Sequence, residues 1–188
     1  MKYPVIEKDF ILKMLGACIN DEQRALIFIL WASGMHISSA IKLEPKNLVT
    51  EGEKYYLEWI RPKTNKTLRI EIEKDYITLV RSFLEIRKRS RIHYFLLIRH
   101  IGRRAGYDAI SPMTFRHTRC VRALMKIEEG GEGYGLFEVP HLMGTTPDVV
   151  ARNYSQIPRE ELEKRKREVD AEIKKVLANG KESDSAQV

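Results

Sequence analysis

Apolar residues recur at helical spacing from near the start of the chain. Over residues 8–17 they are Phe10, Ile11, Met14 and Leu15, with Cys18 just beyond, which predicts an amphipathic first helix. Asn20 and Asp21 supply N-cap chemistry for a second helix over 22–32, and Gly34 ends it. That helix carries Leu26, Ile27, Ile29, Leu30 and Trp31, apolar almost all round, so it belongs at the centre of the core. Residues 55–60 and 67–72 alternate strongly enough to predict two strands. Their connector, Arg61-Pro62-Lys63-Thr64-Asn65-Lys66, makes them a hairpin with a basic tip. A helix is expected over 74–89, with Ile77, Val80, Phe83, Leu84 and Ile86 inward and a basic end that suits the helix dipole. Another is expected over 92–105, stopped by Gly106, and a third from Arg116 to about residue 127, after a turn set by Pro112. Residues 128–135 are acidic and Gly-rich, which predicts a loop and the place where movement is expected. A Gly-containing turn at 144 leads into a short amphipathic helix ending on Tyr154, and 159–177 read as a highly charged helix with one apolar stripe. The pattern predicts an α+β, mainly helical fold with a small antiparallel β-sheet, its hairpin at about 55–72. Residues 1–158 form the domain, 159–178 a terminal amphipathic helix and 179–188 a polar tail expected to be disordered.

Composition narrows the partners. At 188 residues the chain suits one well-buried domain, and 43% apolar content is ordinary for a globular protein. Lys and Arg outnumber Asp and Glu by 33 to 26, giving a net charge of +7. Such a balance favours an anionic partner, nucleic acid first and a membrane surface second, against a merely salt-bridged surface. Cys18 and Cys120 form no paired motif, so disulfides and metal sites are not expected, and free thiols fit a reducing cytoplasm. The most apolar run, 25–35, is about half of the ~20 residues a membrane span needs. No P-loop, dinucleotide fingerprint or internal repeat is present.

The candidate chemistry lies in two blocks. The first is Ser111-Pro112-Met113-Thr114-Phe115-Arg116-His117-Thr118. The second runs Leu142-Met143-Gly144-Thr145-Thr146-Pro147-Asp148-Val149-Val150-Ala151-Arg152-Asn153-Tyr154. A cation on one helix and a tyrosine hydroxyl on a separately delivered helix suit attack on a phosphodiester. A tyrosine with its ordinary pKa near ~10 needs nearby positive charge to shed its proton and to neutralise the oxyanion that develops.

These blocks resemble the C-terminal catalytic domain of the tyrosine recombinases, the phage-type integrases. Arg116-His117-Thr118, Gly144 and the nine-residue step from Thr145 to Tyr154 match the family pattern. Met113 and Thr145 stand where the family has histidines, with His141 a nearby substitute for the second. His36, in Gly34-Met35-His36-Ile37-Ser38, occupies the place of one of two arginines that clamp the scissile phosphate. Arginine is a permanently charged fork and histidine is only partly charged near neutral pH, so His36 is either a weakened phosphate ligand or a polar residue opening a helix.

By the resemblance, Tyr154 attacks the phosphate to form a 3′-phosphotyrosine and Arg116 holds the non-bridging oxygens. Lys63 in the hairpin, with Lys66 as the alternative, protonates the leaving oxygen. Arg103 and Arg104 become DNA-backbone contacts, and Arg119 and Arg152 further candidates for DNA binding. No cofactor is required, because the bond energy is kept in the phosphotyrosine. The partner is double-stranded DNA, not membrane, with self-association on DNA through the 159–178 helix, although that helix is equally suited to docking on its own chain. The resemblance covers the chain from the first helix to Tyr154, without the separate N-terminal DNA-clamping domain of full family members. It leaves two main readings, a recombinase that cuts and rejoins strands and a relative that occupies recombination sites without cutting. A type IB topoisomerase-like relaxase using the same chemistry is a third.

Overall fold

The structure, a computed structural model, describes residues 8–61, 65–125 and 138–154. The chain divides into two units after Tyr154, and the described residues all lie in the first. The expected loop at 128–135, the charged helix at 159–177 and the tail lie outside the described residues.

The core is built on α2 (Asp21–Ser33), against which α1 (Lys8–Gly16), α4 (Ile77–Glu85) and α6 (Pro112–Met125) pack. Ala25, Leu26, Ile27, Ile29 and Leu30 of α2 are fully buried, and each Leu or Ile contributes roughly 1.5–3 kcal/mol by leaving water. Local chemistry sets both ends. Asn20 Oδ1 accepts the Gln23 N–H at 3.0 Å, and Gln23 Oε1 accepts the Ile19 N–H at 3.2 Å. At the other end Gly34 adopts φ +60°, a conformation that suits glycine, and its N–H closes on the Leu30 carbonyl at 2.9 Å. A short helix, α3 (Ile37–Ala40), follows at once with His36 as its N-cap residue.

The sheet is antiparallel, in the order β1 (Leu48–Glu51), β2 (Lys54–Arg61), β3 (Lys66–Ile72). The hairpin expected from the alternation is present, and β1 is an addition to it. In the register, Leu57 faces Ile70, Trp59 faces Leu68 and Arg61 faces Lys66. Leu57, Trp59, Ile70 and Ile72 are buried against the helices. Exposed positions carry ion pairs, Lys54 to Glu71 at 3.1 Å and Arg69 to Glu51 at 3.0 Å; pairs of this kind add ~0–1 kcal/mol each.

Two helices differ from the pattern's prediction in where they begin or end. The segment expected as one helix over 74–89 is a 3-10 turn, Lys74–Tyr76, followed by α4, which stops at Glu85. Ile86 is extended, and Lys88 folds back so that its ammonium donates to the carbonyls of Phe83, Leu84 and Ile86. A side-chain cap, not a glycine or proline, ends that helix, and burial lowers the Lys88 pKa below its ordinary value. The helix expected to begin at Arg116 begins at Pro112 instead, which puts Arg116 in its second turn. Pro112 serves as the first helical residue, where its missing N–H costs nothing. Thr114 Oγ1 accepts the Ser111 N–H at 3.1 Å, fixing the entry. The remaining elements are α5 (Arg91–Arg104), α7 (Glu138–Met143) and α8 (Pro147–Tyr154). No helix among the described residues is long and apolar enough to cross a membrane.

Candidate active site

Arg116 is 6% exposed and binds two chain segments at once. Its Nη1 donates to the Gly34 carbonyl at 3.0 Å and its Nη2 to the Met143 carbonyl at 2.9 Å. The guanidinium therefore ties the end of α2 to the end of α7. Both chain ends are glycine-shaped for close approach. A Cβ on Gly34 would stand 3.0 Å from Arg119 Cδ and 3.0 Å from Met143 Cε. One on Gly144 would stand 2.7 Å from Leu68 Cδ1 and 3.0 Å from Arg61 Cδ. The end of α2, the middle of α6, the end of α7 and the turn end of the β2–β3 hairpin thus converge.

The turn into α8 is likewise set by sequence. The Gly144 N–H bonds the His141 carbonyl at 3.1 Å, and the Thr145 N–H bonds the Pro140 carbonyl at 2.7 Å. Gly144 takes φ +60° there, so α7 ends in a Schellman motif. Thr146 then caps α8, its carbonyl accepting the Val150 N–H at 3.1 Å, and Pro147 is the first helical residue. The helix packs against α6 and α7 and carries the Tyr154 backbone as its last residue.

Burial governs the other groups near Arg116. His117 is 5% exposed, and desolvation pulls its pKa below the ordinary 6.5, so the ring is neutral at pH 7. Cys120, one turn beyond Arg116, has its thiol pushed up to about 12 by burial, with the Arg116 charge opposing, which removes it as a nucleophile.

The residues singled out in the sequence fall into three groups. The half-buried His36 lies two residues past Gly34, whose carbonyl accepts from Arg116. Lys66 is exposed at the first position of β3, opposite Arg61 and so at the same hairpin end. Met113 and Thr145 are half-buried on α6 and in the Gly144 turn. Arg103 and Arg104 stand apart. Arg104 Nη2 donates to Gln23 Oε1 at 3.0 Å, at the opposite end of α2 from Gly34, roughly 16 Å away along that helix. Exposed Arg103 has only a long pairing, 4.0 Å, with Asp108. Lys63 lies outside the described residues, as do the side chains of Arg152 and Tyr154.

Arg61 is not among the residues that the sequence motifs mark. Its signal was present: along β2 the residues of one face run Leu57, Trp59, Arg61, so alternation continues an apolar row into a cation.

No protein-family model and no curated protein matches the sequence. Solved structures do match. XerA recombinase superposes with a TM-score of 0.68 at 14% identity, covering 86% of this chain and 64% of that one. The XerH site-specific recombinase, solved bound to a palindromic difH substrate as a post-cleavage complex, gives 0.66 at 16% identity, covering 87% of this chain and 52% of that one. The catalytic domain of bacteriophage HP1 integrase gives 0.59 at 18% identity, with 83% of this chain and 89% of that domain covered. The chain thus spans between about half and two thirds of the two recombinases and nearly all of the isolated catalytic domain. With the mainly helical architecture, the small antiparallel sheet and the convergence on Arg116, these likenesses establish that the chain has the tyrosine recombinase catalytic-domain fold.

Proposed function

We propose that the chain is a site-specific DNA recombinase or integrase that cuts and rejoins strands through a 3′-phosphotyrosine. The observation that carries this reading is the Arg116 guanidinium, buried and bound to both Gly34 and Met143, beside the helix that ends on Tyr154. In the proposed reaction the Tyr154 hydroxyl gives up its proton to solvent and its oxygen forms a bond to phosphorus while the bond from phosphorus to the 5′ oxygen breaks. Lys63, or Lys66 in its place, donates a proton to that leaving oxygen, and Arg116 neutralises the charge on the non-bridging oxygens. Rejoining is the same step reversed by a 5′-hydroxyl. Double-stranded DNA is the substrate, Arg119, Arg152 and exposed Arg103 are backbone contacts, and residues 159–178 serve self-association on DNA.

The second reading, a DNA-binding relative that does not cut, is favoured by His36, Met113 and Thr145. Losing one preorganised donor typically costs ~10²–10³ in rate, and such losses are rarely additive.

A pool of nicked duplexes with randomised sequence around the nick separates the two. A cutting enzyme leaves a protein–DNA adduct that survives denaturant and disappears in Tyr154→Phe. Salt-sensitive binding with no adduct from the parent chain, and an adduct from His36→Arg, rejects cutting in favour of occupancy.

A further inference from the structure

Among the described residues, Arg61 is the cation at the turn end of the hairpin whose side chain lies against the helices. It continues the inward row of Leu57 and Trp59, where an aliphatic residue would satisfy packing. Its Cδ lies against Gly144, so close that a Cβ on that glycine would stand 3.0 Å away. Its Nε is buried and has no hydrogen-bond partner. Among the described residues Arg61 enters no ion pair, unlike Arg69 eight residues on, which pairs with Glu51 at 3.0 Å. A buried guanidinium N–H without an acceptor is costly and uncommon, and it points to an acceptor that arrives with a ligand.

The place is suited to an anion. Gly144 adjoins Met143, whose carbonyl takes the Arg116 Nη2 at 2.9 Å. Covalent geometry then keeps Arg61 Cδ within about 10 Å of that Nη2, so two permanently charged forks flank the Gly144 turn. The carboxylate and phosphate classes both fit a guanidinium fork, and the basic chain and the proposed reaction favour phosphate.

We propose that Arg61 is a phosphate ligand of the DNA backbone at the Tyr154 site. It supplies a second permanent positive charge where the family pattern has an arginine and this chain has His36. The assignment to the scissile phosphate rests on the recombinase reading; the capture of a phosphate by Arg61 does not.

The test reads the Nε–Hε group itself. In the ¹⁵N-labelled full chain, its signal is identified by its absence from Arg61→Lys. Inorganic phosphate, and then a short duplex, are expected to move this signal saturably, in Tyr154→Phe as in the parent chain, while sodium chloride at matched ionic strength leaves it in place. A signal that stays still with both ligands overturns the proposal, whatever happens to DNA cutting. If it moves and no adduct forms, Arg61 binds phosphate and the cutting reading alone fails. If the parent forms the adduct, Arg61→Met, which keeps the aliphatic stem over Gly144, lowers its rate ~10²–10³-fold and Arg61→Lys retains part of it. An unchanged rate in Arg61→Met, with thermal stability preserved, removes Arg61 from the reaction.

Discussion

At the scale of the residue, Arg116 has two duties that a mutant experiment must separate. The proposed reaction makes it a phosphate ligand, yet two of its hydrogen bonds go to backbone carbonyls, Gly34 and Met143. Arg116→Ala withdraws a charged donor from both, and the expected destabilisation is ~2–4 kcal/mol. In a chain of this length that lowers the melting temperature by about 5–15 °C. A thermal melt of Arg116→Ala within a degree of the parent would show that these bonds hold nothing together, leaving catalysis as the residue's whole purpose. Its neighbour His117 makes a pH prediction. Burial depresses the folded-state pKa below 6.5, the value expected when unfolded, so the unfolded chain takes up the proton first as pH falls. The stability due to neutral His117 is complete above pH 6.5 and declines as pH drops below it toward the folded pKa. Melting temperatures from about pH 7.5 to about pH 5.5 should fall more steeply for the parent than for His117→Gln. Equal slopes would mean that His117 is hydrated in solution. The triplet Arg116-His117-Thr118 was legible in the sequence because residue type and order carry it. Its depth was not, since taking Pro112 as a turn placed Arg116 at an exposed helix start instead of in a buried second turn.

Among the elements, the turn between α7 and α8 decides where Tyr154 is delivered, and Gly144 is the part most sensitive to change. Gly52 and Gly144 share nearly the same conformation, φ +59° and +60°, but a Cβ at Gly52 meets open space while one at Gly144 meets Leu68 and Arg61. Gly52→Ala should therefore cost only the left-handed penalty of ~1–2 kcal/mol. Gly144→Ala should cost a further ~1–3 kcal/mol for overpacking. Chemical denaturation of both variants measures the difference, and adding Leu68→Val should recover part of it in the Gly144→Ala background alone. Equal losses at the two glycines would show that the hairpin and the α7 end do not touch. The sequence pattern anticipated this glycine turn and the helix after it, because Gly144 and Pro147 are strong punctuation. It anticipated neither β1, whose Leu48-Val49-Thr50-Glu51 is too short and too polar to register alternation, nor the stop at Glu85. That stop depends on Lys88 reaching back to three carbonyls, which no periodicity encodes. Helix α7 was hidden by Pro140, which it tolerates because the proline sits in its first turn.

For the whole molecule, the bonds that assemble the site join Arg116 to partners 82 and 27 positions away along the chain. Local patterning therefore named His36, Arg116 and the Gly144 turn separately, and only the fold brings them to one place; Arg61 escaped notice because its meaning depends on what lies across from it. The same long-range arrangement sorts the surface arginines. With a net charge of +7, binding to duplex DNA should be governed by phosphate contacts and fall steeply with salt. For about five contacts the slope of log K against log salt is about −4.5, a loss of several hundred-fold between about 50 and about 200 mM. Arg103→Ala, which frees nothing inside the fold, should reduce that slope by about 1 if Arg103 meets a phosphate. Arg104→Ala should leave it unchanged, because that guanidinium is held by Gln23 at the far end of α2. Its effect should instead be a lower melting temperature from loosening the α2 start. Filter binding or fluorescence anisotropy across a salt series checks both. An affinity that ignores salt would mean that no phosphate is held, by Arg61, Arg116 or any other cation, and would reject the cutting and the occupying readings together.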